Sequence, residues 1–215
     1  MSFTDHYIGW TESRVAGIKK YIPETVFQGK TLLELGAGHG DIGNAFHTMG
    51  ATVTSSDARK EYIENISKTY PHLQTLLIDG DINTIPAKYD IIVHWGLLYH
   101  LAEIEDHLED VAKNCDILLL ETEVYDSDED DSYITTYESG FDQAFNSRGI
   151  RPSQPYVERV LTENGFSFRC IKDPILNSDF HTYDWKTGMY RTAGMGMRRF
   201  WICWKNVDSP IRAGL

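Results

Sequence analysis

The densest chemistry in this chain lies in one short run, Glu34-Leu35-Gly36-Ala37-Gly38-His39-Gly40. Its glycines let a ligand press against backbone where a Cβ would block it, and a helix starting just beyond offers free N–H groups. Seventeen residues after Gly40 comes Asp57, followed by Ala58. A carboxylate there suits the two hydroxyls of a ribose. Asp79-Gly80-Asp81-Ile82 adds a carboxylate for an adenine amine and, in Ile82, an apolar wall for the ring. Glu34 favours a cationic ligand over a pyrophosphate. The set Glu34, Gly36, Ala37, Gly38, Asp57, Ala58, Asp81 and Ile82 therefore reads as a cradle for a nucleoside carrying a positive charge. Two other readings stay open. Gly38-His39-Gly40-Asp41-Ile42-Gly43 also satisfies the dinucleotide pattern G-x-G-x-x-G, and the glycines alone are compatible with a purely structural turn.

A second reactive run is His94-Trp95-Gly96-Leu97-Leu98-Tyr99-His100. His100 has the intrinsic acidity of a general base, and the alternative is a histidine packed beneath its loop and bonded to backbone. Tyr99 either lines the reacting centre or belongs to the core. His94 and Trp95 are expected to contact the ligand. Trp10 and Arg14 lie one helical turn apart, so Arg14 can offer a bidentate fork to a carboxylate. Tyr125, Arg148 and Arg199 are the candidates for binding a second substrate, against a reading as aromatic core and solvated rim. No metal is expected. The histidines lack metalloprotease or zinc-finger spacing, and the acidic run at residues 126–131 lacks the glycine and final glutamate of a calcium loop.

These residues need elements to hold them. Tyr7, Trp10, Arg14, Ile18 and Tyr21 share a helical face that Pro23 ends, giving an N-terminal lid helix over residues 1–22. Short apolar runs at 31–36, 51–57, 75–78, 90–95 and 117–123 read as strands. Helical stretches at 41–49, 61–70 and 104–114 alternate with them. Alternation at this spacing implies crossover connections and a parallel sheet covered on both faces. After Tyr125 the rhythm breaks, and residues 125–152 read as an irregular insertion on the acceptor side. Ser153 caps a helix ending at Asn164-Gly165, and two last strands follow at 166–171 and 198–205. One domain spanning residues 1–215 is expected.

The motif order Glu34 to Gly40, Asp57, Asp79-Gly80-Asp81 and Tyr89-Asp90-Ile91-Ile92-Val93-His94 resembles the class I S-adenosylmethionine-dependent methyltransferases. The resemblance implies an α/β Rossmann-like three-layer sandwich. Its seven-stranded, mostly parallel sheet would end in an antiparallel strand at residues 198–205. It also implies S-adenosylmethionine as cofactor. Gly96-Leu97-Leu98-Tyr99-His100, Leu120-Glu121-Thr122, Arg151-Pro152-Ser153 and Asn164-Gly165-Phe166 are similar to the bacterial tRNA wobble-uridine carboxymethyltransferases. That family places basic residues after its Tyr-His pair, where this chain has Leu101-Ala102-Glu103. Methyl transfer to oxygen or nitrogen of a small molecule is therefore the expected activity.

Charge points the same way. Twenty Lys and Arg against 32 Asp and Glu leave a net charge of −12, a poor balance for nucleic acid or an anionic membrane surface. Three scattered cysteines suit free thiols in a reducing compartment, and the start of the chain has no signal-like apolar segment. A cytoplasmic protein is expected.

Overall fold

A computed structural model describes residues 3–140, 143–189 and 196–205. Its centre is a seven-stranded sheet. Five strands are β1 (Thr31–Leu35), β2 (Thr52–Asp57), β3 (Gln74–Leu77), β4 (Tyr89–Trp95) and β5 (Cys115–Glu123). A separate pair, β6 (Tyr133–Tyr137) and β7 (Arg148–Pro152), forms an antiparallel hairpin. β8 (Ser167–Ile171) and β9 (Arg198–Trp204) complete the main sheet, whose order is β3-β2-β1-β4-β5-β9-β8. β1 to β5 are mutually parallel, and β9 runs antiparallel to both β5 and β8. The antiparallel closing strand expected at residues 198–205 is present.

Strand alternation divides the core. Leu33, Leu35, Ile92, Leu118, Leu120 and Trp201 face α4 (Ile104–Lys113) and α5 (Gln154–Glu163). Leu32, Ile91, Val93, Ile117, Leu119 and Ile202 face the opposite layer. That layer holds α1 (Phe3–Tyr21), α2 (Asp41–Thr48) and α3 (Lys60–Thr69). Both faces are covered, which is why these strands read as continuous apolar runs. Ser153 caps α5 by accepting from the Tyr156 N–H at 3.1 Å.

One expectation needs correction. Residues 125–152 are not wholly irregular, because β6 and β7 pair from Tyr133↔Pro152 to Tyr137↔Arg148; residues 141 and 142 lie outside the described residues. The N-terminal helix α1 is packed against the body of the protein. Trp10, Arg14 and Ile18 recur at four-residue spacing and are buried, and Leu176 packs where a side chain at Gly17 would sit. Only its first turns reach over the cleft described next. Among the described residues no helix is long and apolar enough to cross a membrane.

Candidate functional site

The strand order reverses between β1 and β4, and a cleft opens beyond their carboxyl ends, as it does at such switch points in α/β sheets. Its floor is the turn after β1. Gly38 sits in the left-handed region at φ +53°, and a Cβ added there meets no atom within 4 Å because it projects into open space. The Gly38 N–H donates to Asp57 Oδ2 at 3.0 Å and the Arg59 N–H to Oδ1 at 2.9 Å. Burial raises the Asp57 carboxyl against the pull of these bonds. Gly36, Ala37, Gly38, Asp57, Ala58, Asp81, Trp10, Arg14, Trp95, Tyr99 and His100 all line this one cleft.

Glu34 does not line it. On β1 it shares the parity of Leu32, so its side chain lies beneath α2, where a side chain at Gly43 would collide with its carboxylate. Ser55 Oγ donates to Glu34 Oε2 at 2.6 Å. Burial nevertheless outweighs the Ser55 and Gly43 hydrogen bonds and pushes the carboxyl up to about 7.

His94 is also absent from the cleft. It shares the parity of Ile92 and turns towards α4, where its Nε2 lies 2.8 Å from His107 Nε2. His107 Nδ1 is 2.9 Å from the Gly80 carbonyl oxygen. A carbonyl only accepts, so neutral His107 carries its proton on Nδ1 and His94 donates to it through Nε2. Burial lowers both imidazoles, the charge of His107 adding to the effect on His94. The pair thus braces the Gly80 turn from below.

In that turn Asp81 reaches the cleft, but its carboxylate is engaged. Oδ1 accepts from the Ala102 N–H at 2.8 Å and Oδ2 from Asn146 Nδ2 at 3.2 Å. Ile82 is 76% exposed and outside the cleft, and Ile78 and Leu101 supply the apolar walls instead. Tyr7, His39, Tyr62, Arg59, Gln143 and Phe145 complete the rim, with Arg59 Nη2 donating to the Gln143 carbonyl at 2.7 Å.

The far wall is a buried charge cluster. Arg14 lies over the Trp10 ring at 3.8 Å, with Nη1 3.5 Å from Glu121 Oε2. Arg198 donates to Glu121 Oε1 and to the Tyr99 hydroxyl, each at 2.9 Å. Burial, the largest influence on each, lowers Arg14 and raises Tyr99. Arg14 Nε and Trp95 Nε1 are buried donors with no acceptor among the described residues.

The expected second-substrate residues lie elsewhere. Arg199 has the opposite parity to Arg198, so its fully buried guanidinium donates to the Tyr183 and Trp185 carbonyls and to Gln154, away from the cleft. The Tyr125 hydroxyl pairs with Ser132, and Arg148 is exposed on β7. None of the three lines the cleft.

Just beyond β6, Glu138 meets His100, Oε2 to Nδ1 at 2.5 Å. Arg151 pairs with Glu138 Oε1 and lies 3.3 Å from Glu123. Burial opposes the Glu138 carboxylate. The His100 hydrogen bond and charge, the Ala144 N–H and Arg151 outweigh it and hold the group at about 2. The sequence reading missed Glu138, Arg151 and Arg198. Arg198 carried a signal as the neighbour of a chosen residue on a strand, and Arg151 as part of the Arg151-Pro152-Ser153 motif. Among the described residues no three His, Cys, Asp or Glu side chains are grouped to hold a metal ion.

No family model matches this chain, and no curated protein matches it. Solved structures do. The N-terminal domain of EvdMO1, determined in the presence of SAH and D-fucose, is 16% identical with a TM-score of 0.67, covering 94% of this chain and 84% of that one. Magnesium protoporphyrin IX methyltransferase from Synechocystis PCC 6803, with bound SAM, is 14% identical with a TM-score of 0.64, covering 96% and 85%. A putative S-adenosylmethionine-dependent methyltransferase from Listeria monocytogenes is 19% identical with a TM-score of 0.62, covering 90% and 98%. With the sheet order and the antiparallel β9, these likenesses make the fold that of the class I S-adenosylmethionine-dependent methyltransferases.

Proposed function

We propose that this chain is an S-adenosylmethionine-dependent methyltransferase acting on oxygen or nitrogen of a small molecule. One observation carries the reading: a single cleft joins the Gly36–Gly38 turn, Asp57 and His100. The residues fit the cofactor. Gly38 leaves open the space a Cβ would fill, and Asp57 stands beside it for a ribose diol. Arg14 Nε and Trp95 Nε1 are buried donors suited to a carboxylate. Trp10, Ala37, Ala58 and Asp81 complete the proposed cofactor contacts. S-adenosylmethionine, when bound, supplies an electrophilic methyl carbon open to in-line displacement. The protein's part is to hold the acceptor in near-attack geometry, and His100 takes the acceptor's proton.

A small acceptor is favoured over a polyanion. The cleft carries Asp41, Asp57, Asp79 and Asp81 against Arg14 and Arg59, a balance that repels phosphate chains. The neighbours solved with D-fucose or named for magnesium protoporphyrin IX concern small molecules as well.

Calorimetric titration with S-adenosylmethionine, S-adenosylhomocysteine and NAD tests the cofactor. Micromolar binding of the first two without the third is expected. NAD binding alone would overturn the reading in favour of a dinucleotide site at Gly38 to Gly43. With a panel of hydroxyl and amine acceptors, His100→Ala is expected to lower turnover by roughly 10²–10⁴-fold while cofactor affinity stays within twofold.

A further inference from the structure

The hairpin β6–β7 lies outside the main sheet, yet the residue that follows β6 places a buried carboxylate against His100, which lines the cleft. Glu138 Oε2 sits 2.5 Å from His100 Nδ1, and among the described residues no other hydrogen bond to the His100 ring is present. The approach is built into the backbone. A Cβ at Gly149 on β7 would lie 2.7 Å from Glu138 Oε1, 2.7 Å from Arg151 Nη1 and 2.5 Å from the Tyr99 carbonyl oxygen. Only glycine lets these three groups converge. Arg151 and the Ala144 N–H then fix the Glu138 carboxylate, the latter at 2.9 Å to Oε2. His100 thus meets Glu138, beside β6, and Tyr99, whose ring centroid lies 3.9 Å away, while Arg151 on β7 stands behind Glu138 and is shared with Glu123 on β5.

An ionised carboxylate has only lone pairs, so the imidazole nitrogen facing it must carry the hydrogen. We infer that Glu138 is a positioning residue: it holds neutral His100 as the Nδ1–H tautomer and leaves the Nε2 lone pair directed to the acceptor in the cleft. The inference deepens the role proposed for His100 and rests on it. During transfer the acceptor's lone pair bonds to the methyl carbon as that carbon's bond to sulfur breaks, the electron pair leaving with the neutral thioether, and the acceptor's O–H or N–H proton passes to Nε2. The resulting imidazolium is balanced by Glu138 until the Nε2 proton leaves to water. A ring held the other way round would present an N–H to the acceptor and take nothing from it.

The tautomer is read directly from ring ¹⁵N shifts in long-range ¹H–¹⁵N spectra at pH 8, with the His100 signals assigned by their loss in His100→Ala. Wild type is expected to show a protonated Nδ1 and an unprotonated Nε2. Glu138→Gln keeps an acceptor oxygen and is expected to keep that pattern. Glu138→Ala is expected to move His100 towards the Nε2–H form and to lower kcat about 10²-fold with KM and cofactor affinity within twofold. An Nε2–H pattern in wild type overturns the inference, and so does an unchanged pattern in Glu138→Ala. Should Glu138→Ala fail to fold, wild type and Glu138→Gln decide. The two readings fail separately. The expected tautomer without S-adenosylmethionine binding removes the methyltransferase, whereas cofactor binding with an Nε2–H ring removes only the role of Glu138.

Discussion

Replacing Glu34 by glutamine isolates the cost of burying one carboxylate. In the folded protein that carboxyl titrates at about 7, against 4.5 for an ordinary glutamate, because burial disfavours its charge. A group raised in this way stabilises the fold fully below its unfolded value, and the contribution is lost as pH climbs through the folded one. Integrating between those two values gives a loss of ~2.5 kcal/mol from pH 5 to pH 8. Glutamine has the same shape, fits under Gly43 and keeps an oxygen for the Ser55 hydroxyl, but does not titrate. Its amide leaves a buried N–H that shifts stability by a constant, so the slope with pH carries the test. Urea unfolding of both proteins at pH 5, 6, 7 and 8 should show Glu34→Gln gaining on wild type by ~2.5 kcal/mol across the series, or roughly 5–10 °C in Tm. Asp57, raised in the same direction, cancels in the difference. A flat difference would mean that the carboxylate ionises freely at neutral pH, and the burial argument would be wrong.

Three further outcomes are expected. Gly38→Val places a branched side chain in the cleft at φ +53°, so S-adenosylmethionine binding should vanish by calorimetry while stability falls only by about 1–2 kcal/mol; retained binding would refute the role of the turn. Arg199→Met should lower the unfolding free energy by about 2–4 kcal/mol through the stranded Tyr183 and Trp185 carbonyls, with cofactor affinity unchanged; tenfold weaker binding without destabilisation would return it to the site. Burial holds His94 and His107 below 6.5, so the stability they contribute is present above that pH and lost as pH falls. Wild type should therefore weaken from pH 7 to 5 more steeply than a His94→Gln, His107→Gln double variant, and parallel curves would show that the pair ionises without cost.

The sheet was legible because its signals are local. Short apolar runs broken by glycine announce β1 and β4 as strands buried on both faces, and Pro71 and Gly165 mark where α3 and α5 must end. The hairpin β6–β7 was missed for the opposite reason. Residues 133–137 alternate exposed and half-buried positions and add little to the core, so no apolar pattern marks them. The β-branched Ile134, Thr135 and Thr136 between two tyrosines were the available hint.

For the site, identifying a strand was easier than knowing which face each of its residues takes. Glu34 and His94 each lie on a correctly identified strand and point away from the cleft, and Arg199 exchanges roles with Arg198. Side chains alternate with a period of two, so one uncertain anchor inverts every assignment on a strand. An anchor was present on β9. Phe200 and Ile202 pack in the same layer as Ile18 of α1, and Arg198 shares their parity, so it must face Trp10 and Arg14. That inference needs β9 beside β5, a pairing between residues about 80 positions apart that no local pattern encodes. Glu138 is further out of reach. It meets His100 across 38 residues only because Gly149 lets the hairpin close on the Tyr99 carbonyl. The side of the cleft proposed for the cofactor is written in contiguous motifs because one turn and two strand ends build it. The side around His100 is assembled from β5, β7, β9 and the residue after β6, so its members become recognisable only once those segments are placed together.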